Sequence, residues 1–255
     1  MKRWTIGTPA AVAVLAVWIL PGCSSGGSGN AAVSSPPAGT AAPATTTTSP
    51  TAAAKVGTIP DDVRFLMPPG KYATIRFRPV FTFSTTVSAG GGADMPDFAN
   101  FSLKAYGNDT FAGLSFIRFA KVCDPKAPSH LTASPDQLMD CLVGHPHLRV
   151  TAKPAPVTIG GIPGQRFDIQ VVGKLPGPPS CNGDPYPCVR VGTTPDFPAA
   201  FDGGYGASFE AGYSARVWIF DVHGTTVAVT WADPTPHFAS NLPAAEKIMR
   251  TVRFS

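Results

Sequence analysis

An uncharged, mostly apolar run from Trp4 to Leu20 follows Lys2 and Arg3 and ends at Pro21-Gly22-Cys23. A positive start, an apolar middle and a small residue before a cut describe a secretory leader. At 17 residues the run falls short of the roughly 20 that a spanning helix needs. Gly7 and Pro9 weaken its first half, leaving Ala10–Leu20 as the apolar core. The alternative is an uncleaved anchor helix. Ser24, Ser25, Gly26 and Gly27 continue a helix poorly and favour removal of the leader. This feature constrains all that follows, because the remainder must then fold after export, in oxidising surroundings. No later stretch reads as long and apolar enough to cross a bilayer.

Leu20 three residues ahead of Cys23, Gly22 immediately before it, and the cysteine itself resemble the lipobox of bacterial lipoproteins. Pro21 is an unusual occupant of a permissive position. The resemblance implies loss of residues 1–22, acylation of Cys23 (palmitate among the chains) and attachment to the outer face of the cytoplasmic membrane. Buried methylenes contribute about 0.8 kcal/mol each, so one chain holds only marginally, whereas a diacylglyceryl group would hold firmly.

Residues 23–55 read as a disordered tether. From Ser24 to Ala54 there is no charge, and Ser, Thr, Pro, Gly and Ala make up almost all of it. Too few bulky apolar groups are present to offset the entropy of ordering. Such a coil spans about 30 Å on average, and an O-glycosylated stalk is a second reading of the same composition.

Residues 56–255 are enough for a single domain with a real core. The formal charge is +4 for the whole chain, part of it from Lys2 and Arg3, and both signs are interspersed. That argues against a nucleic-acid partner, which would want a basic face. Abundant Pro, Gly, Thr, Val and Phe favour strands and loops over helices. Besides Cys23 the chain has Cys123, Cys141, Cys181 and Cys188. Four cysteines allow three pairings; local closure favours Cys181–Cys188 with Cys123–Cys141. A four-thiolate zinc site is the rival, disfavoured because no C-x-x-C pair is present.

Along the domain, Tyr72 to Val87 alternates: Ile75, Phe77, Phe81 and Phe83 share one parity, Arg76, Arg78, Thr82 and Ser84 the other. A half-buried strand with a break at Pro79 is expected. Ala89-Gly90-Gly91-Gly92-Ala93 reads as a flexible turn. Phe101, Leu103 and Ala105 suggest a strand, and the doubly apolar Leu114–Val122 a central one. Ser134-Pro135-Asp136-Gln137 combines an N-cap serine, an N1 proline and a capping-box glutamine, opening a helix that Gly144 stops. Arg149 to Ile159 reads as extended but broken by prolines. Gly160-Gly161 turns into a strand with Phe167, Ile169 and Val171 on one face. A long irregular excursion then runs from Gly173 to about Ala211. Ser214–Val222 and Thr225–Ala232 form a hairpin joined at His223-Gly224. A last helix through Ala244, Ala245, Ile248 and Met249, with Pro243 in its first turn, leads to a strand at Thr251–Phe254.

Pro69-Gly70-Lys71-Tyr72, Ser134-Pro135-Asp136-Gln137 with His145-Pro146, Ile159-Gly160-Gly161-Ile162-Pro163-Gly164 and the closing Ala245–Phe254 resemble uncharacterised secreted proteins and lipoprotein domains of actinobacteria. More loosely, a terminal helix feeding a final strand is similar to the PsbP-like fold. The likeness implies an α+β domain, a twisted antiparallel sheet flanked by a few short helices. It supplies no active site, and Gly90-Gly91-Gly92 stands where a Gly-Trp would follow the first aromatic strand.

Candidate chemistry is sparse. His145-Pro146-His147, with Asp140 a helical turn upstream, offers two imidazoles where a metal site needs three or four ligands; a helix stop explains them better. His223 and His237 read as solvated. No G-x-S-x-G elbow is present, and a carboxylate pair for glycoside hydrolysis would need aspartates such as Asp168 and Asp221, which a solvated strand face also explains. Phe197, Phe201, Tyr205, Phe209 and Tyr213 form the best candidate ligand or partner surface; the plainer reading is that they cover the sheet. The expectation is a non-catalytic binding or accessory module of the cell envelope without cofactor or metal, its partner an envelope protein or a small molecule. The alternative is a small-ligand carrier or envelope hydrolase with residues 173–211 as a lid.

Overall fold

The computed structural model describes residues 55–60, 66–107, 110–119, 121–122, 133–175, 187–194 and 208–255. The expected leader, Cys23 and almost all of the tether lie outside them. In chain order the elements are β1 Val56–Thr58, β2 Leu66–Met67, β3 Gly70–Ala73, β4 Phe81–Thr85, β5 Ala89–Asp94, β6 Phe98–Gly107, β7 Thr110–Arg118, β8 Lys121–Val122 and α1 Pro135–Gly144. There follow β9 Leu148–Ile159, β10 Ile162–Val171, β11 Cys188–Arg190, β12 Gly192–Thr193, β13 Ser208–Glu210, β14 Tyr213–Val222, β15 Thr225–Pro234, α2 Thr235–Met249 and β16 Arg253–Phe254. The result is a mixed α+β fold dominated by an antiparallel sheet of eight strands, ordered β2-β5-β6-β7-β15-β14-β10-β9. A smaller sheet, β1-β3-β4-β16, is antiparallel except for the β1–β3 pair.

Both faces of the large sheet are covered. On one, Trp218, Phe220, Val227, Val229 and Trp231 join Phe81 and Phe83 of β4 and Ala245, Ile248 and Met249 of α2. On the other, Val217, Ile219, Phe167 and Ile169 pack with Leu138 and Leu142 of α1. The period-two alternation in β10 and β14 thus feeds two cores. Aromatic stacking knits the first: the rings of Phe81 and Phe116 lie 3.9 Å apart, those of Phe83 and Phe101 4.4 Å.

The capping box of α1 forms as its residues dictate. Ser134 Oγ accepts from the Gln137 N–H, and Gln137 Oε1 accepts from the Ser134 N–H. β7 is central, between β6 and β15. Both two-residue turns adopt positive φ at each position, Gly160 and Gly161 in one, His223 and Gly224 in the other. That is the backbone twist a tight hairpin demands, and Asp221 Oδ1 secures the second by accepting from the Gly224 N–H at 2.6 Å.

Four expectations change. Tyr72–Val87 is two paired strands with a reversal at residues 74–80, so Ile75 falls out of register and is 59% exposed while Phe77 is buried. The reversal is held by Asp94, whose carboxylate accepts from the consecutive N–H groups of Ile75 (2.6 Å), Arg76 (3.1 Å) and Phe77 (2.9 Å). The glycine run is strand β5 rather than a turn. Gly92 sits where a Cβ would lie 2.2 Å from the Asn100 carbonyl oxygen, so only glycine allows β6 this close. Arg149–Ile159 lies within one continuous strand, β9, at the sheet edge, although its pairing with β10 shifts register at residues 153–154, beside Pro154, and again at residue 151. Ile159 and Ile162 flank the Gly-Gly turn as a hydrogen-bonded pair, so alternate residues back along β9 direct N–H outward. Pro156 stands at one of those positions and has no N–H to offer, and Pro154 lies at a register shift in the β9–β10 pairing. Lastly, α2 begins at Thr235 and carries Pro243 in its interior.

The expected disulfides also need correction. Of the four cysteines, Cys141 and Cys188 are among the described residues, and each is a disulfide-bonded half-cystine rather than a titrating thiol. A disulfide needs sulfurs about 2 Å apart, and no Sγ–Sγ pair at bonding distance is present among the described residues. Cys141 and Cys188 are therefore not joined to each other, and no complete cross-link lies among the described residues. Cys123–Cys141 and Cys181–Cys188 each involve a residue, Cys123 or Cys181, outside the described ones.

Candidate functional site: an acid-rimmed groove beside helix α1

The first turn of α1 lies over the ends of β9, β10 and β14 and leaves a groove of about 380 Å³ between them. Its apolar lining comes from Met139 and the edge of Ile219 with the rings of Pro135, Pro156 and Pro163. Asp136, Thr158, Gln165 and Asp221 supply the polar groups. Each is placed by a local rule. Asp136 stands in the first turn of α1, where the helix's positive end favours a carboxylate. Asp221 precedes the His223-Gly224 turn, and Gln165 faces Ile219 across the β10–β14 pair. Asp136, Thr158, Gln165 and Asp221 are all exposed, so the groove is shallow.

The buried charges are engaged elsewhere. On the α2 face of the sheet, Arg216 holds Asp168 at both ends, Nε to Oδ1 at 2.6 Å and Nη2 to Oδ2 at 2.7 Å. Its Nη1 meets Glu246 of α2, which Arg166 also reaches at 3.1 Å. Hydrogen bonding to Asp168, against the opposing effect of burial, raises the Arg216 guanidinium above its ordinary range. This cluster ties α2 to β10 and β14.

Asp168 and Asp221 do not form a carboxylate pair. Asp168 stands opposite Arg216, and Asp221 lies five residues further along β14, an odd interval that puts it on the other face about 17 Å away. Among the described residues no group of three or more His, Cys, Asp or Glu is placed to hold a metal. His145 follows α1 and accepts from the His147 N–H through Nδ1 at 3.2 Å, the rings 5.9 Å apart. Burial first, and the neighbouring His147 second, lower the His145 pKa from its ordinary 6.5. A depressed imidazole binds fewer protons folded than unfolded, so its neutral form favours the fold above pH 6.5 and acid erodes that advantage through the folded pKa. Stability should therefore fall as pH drops below 6.5 and through the lower folded value, and His145→Gln should flatten part of that slope in paired urea titrations.

Of the candidate aromatics, Phe197, Phe201 and Tyr205 lie outside the described residues. Phe209 is buried in the α1-side core, and Tyr213 is half-buried at the start of β14. Those two do not make an exposed rim. His223 and His237 are exposed. Sequence reasoning missed the groove because its lining comes from four elements separated by up to 86 positions. The one legible signal was Pro135-Asp136, read only as a helix start.

Neither a family model nor a curated protein matches this sequence. Among solved structures, the chain is similar to a Pseudomonas aeruginosa protein of unknown function, with 15% identity over 70% of this chain and 94% of that one and a TM-score of 0.35. A structure from Bacteroides thetaiotaomicron VPI-5482 shows 11% identity over 69% of this chain and 45% of that one, with a TM-score of 0.33. Both fall below the similarity at which a shared fold can be argued. No described helix is long and apolar enough to cross a membrane.

Proposed function

We propose that this chain is a lipid-anchored lipoprotein of the cell envelope. In this reading it is acylated at Cys23 and presents its α+β domain, on the tether of residues 23–55, as a non-catalytic binding or accessory module outside the cytoplasmic membrane. The resemblance to actinobacterial lipoprotein domains, and more loosely to the PsbP-like fold, is part of this reading. The observation that carries the binding role is the groove: an apolar floor with polar groups at its rim. Asp94, Asp168 and Arg216 are each engaged by internal partners, which leaves them structural work. The carrier or hydrolase alternative rests on residues 173–211, most of which lie outside the described residues.

The anchor is tested by mass spectrometry of the mature N-terminus. The expected species begins at a diacylated Cys23, and Cys23→Ala should yield unprocessed or released protein. Recovery of the wild-type chain with residues 1–22 attached and Cys23 unmodified would overturn the reading.

A further inference from the structure

We propose that the groove beside α1 is a docking cleft for a cationic side chain, arginine or lysine, carried by a partner protein. This rests on the binding-module reading above. The lining includes two carboxylates, Asp136 and Asp221, and no cationic side chain. Asp136 has no ion-pair partner among the described residues. Asp221 gives one oxygen to the Gly224 N–H and keeps the other. A long aliphatic stem ending in a charge matches this lining, the stem lying on Met139 and the Pro156 and Pro163 rings and the head meeting the carboxylates.

Shallowness selects the source of the cation. Small-molecule sites enclose most of their ligand, whereas Asp136, Gln165 and Asp221 are exposed. A side chain arriving on a protein brings flanking surface to complete the enclosure. Strand addition to β9 is disfavoured, because Pro156 removes an outward donor and the ladder shifts register beside Pro154. The contact is made by side chains across the groove.

The test uses the full chain labelled at methionine methyls, with Met139 in the groove and Met67 and Met249 buried elsewhere as internal references. The probe is acetyl-Gly-Arg-Gly-amide, titrated to about 10 mM, since an isolated contact of this kind binds weakly. The expected result is a saturable shift of Met139 with Met67 and Met249 unmoved. The citrulline analogue, which keeps the shape and loses the charge, should bind about fivefold weaker. The double variant D136N/D221N, its fold verified by unchanged Met67 and Met249 signals, should show a similar loss. A silent Met139, equal binding of the citrulline peptide, or an unaffected double variant would overturn the proposal. Agmatine binding as tightly as the peptide would assign the groove to small organic cations and overturn the protein partner. If Met139 stays silent while a diacylated Cys23 is recovered, the cleft assignment fails and the anchored module stands.

Discussion

Asp94→Ala should cost about 3 kcal/mol of folding stability, read as a drop in the urea midpoint at unchanged slope. The carboxylate accepts from three consecutive backbone donors, at residues 75, 76 and 77. It is itself buried, at 2% exposure. Bonds to a charged acceptor contribute about 1.5–3 kcal/mol each, but Ile75 and Arg76 are exposed, so water can recover their N–H groups. Phe77 is buried against Phe81 and Phe116, and its orphaned N–H has no such relief. Asp94→Asn keeps the shape and one acceptor oxygen, so it should lose roughly half as much. A cost below about 1 kcal/mol for the alanine variant would show that the reversal between β3 and β4 is held by its apolar packing alone.

Arg216→Met is expected to be comparably damaging, about 3 kcal/mol, for a different reason. Methionine fills much of the volume but leaves Asp168, 8% exposed, without its cation. Removing one partner of a buried pair is far worse than replacing both. The double variant R216M/D168N should therefore recover a good part of the loss, and the coupling energy from the four-member cycle should exceed about 1 kcal/mol. If the double variant is as unstable as the sum of the singles, Arg216 acts through its link to Glu246 and α2 instead. The pH dependence follows from the direction of the shift. The guanidinium is raised by its bond to Asp168, so its contribution is fully present below the ordinary arginine range and disappears only as pH climbs through the still higher folded value. No alkaline weakening should arise from this pair at accessible pH.

What could be read in advance tracks how local the governing physics is. The Ser134 cap, the His223-Gly224 hairpin and the alternation in β10 and β14 depend on neighbours a few residues apart, and each appears where its residues put it. Gly90–Gly92 looked like a turn because glycine's backbone freedom is visible in sequence, while the reason for it is not: the Asn100 carbonyl approaches too closely for a Cβ. Pro154 and Pro156 looked like interruptions because edge position is a property of the sheet. The start of α2 was misplaced since Pro236 and Pro243 compete for the same first-turn signal, and packing of Phe238 and Leu242 onto the core decides between them. The groove escaped entirely: Asp136 and Asp221 become neighbours of one surface only once β9, β10 and β14 lie side by side.

The two prolines on β9 have a consequence beyond the single molecule. A bare strand border is an invitation to stitch one copy to the next. Here that border lacks a donor at Pro156 and loses its even register beside Pro154, so copies are discouraged from zipping into ribbons.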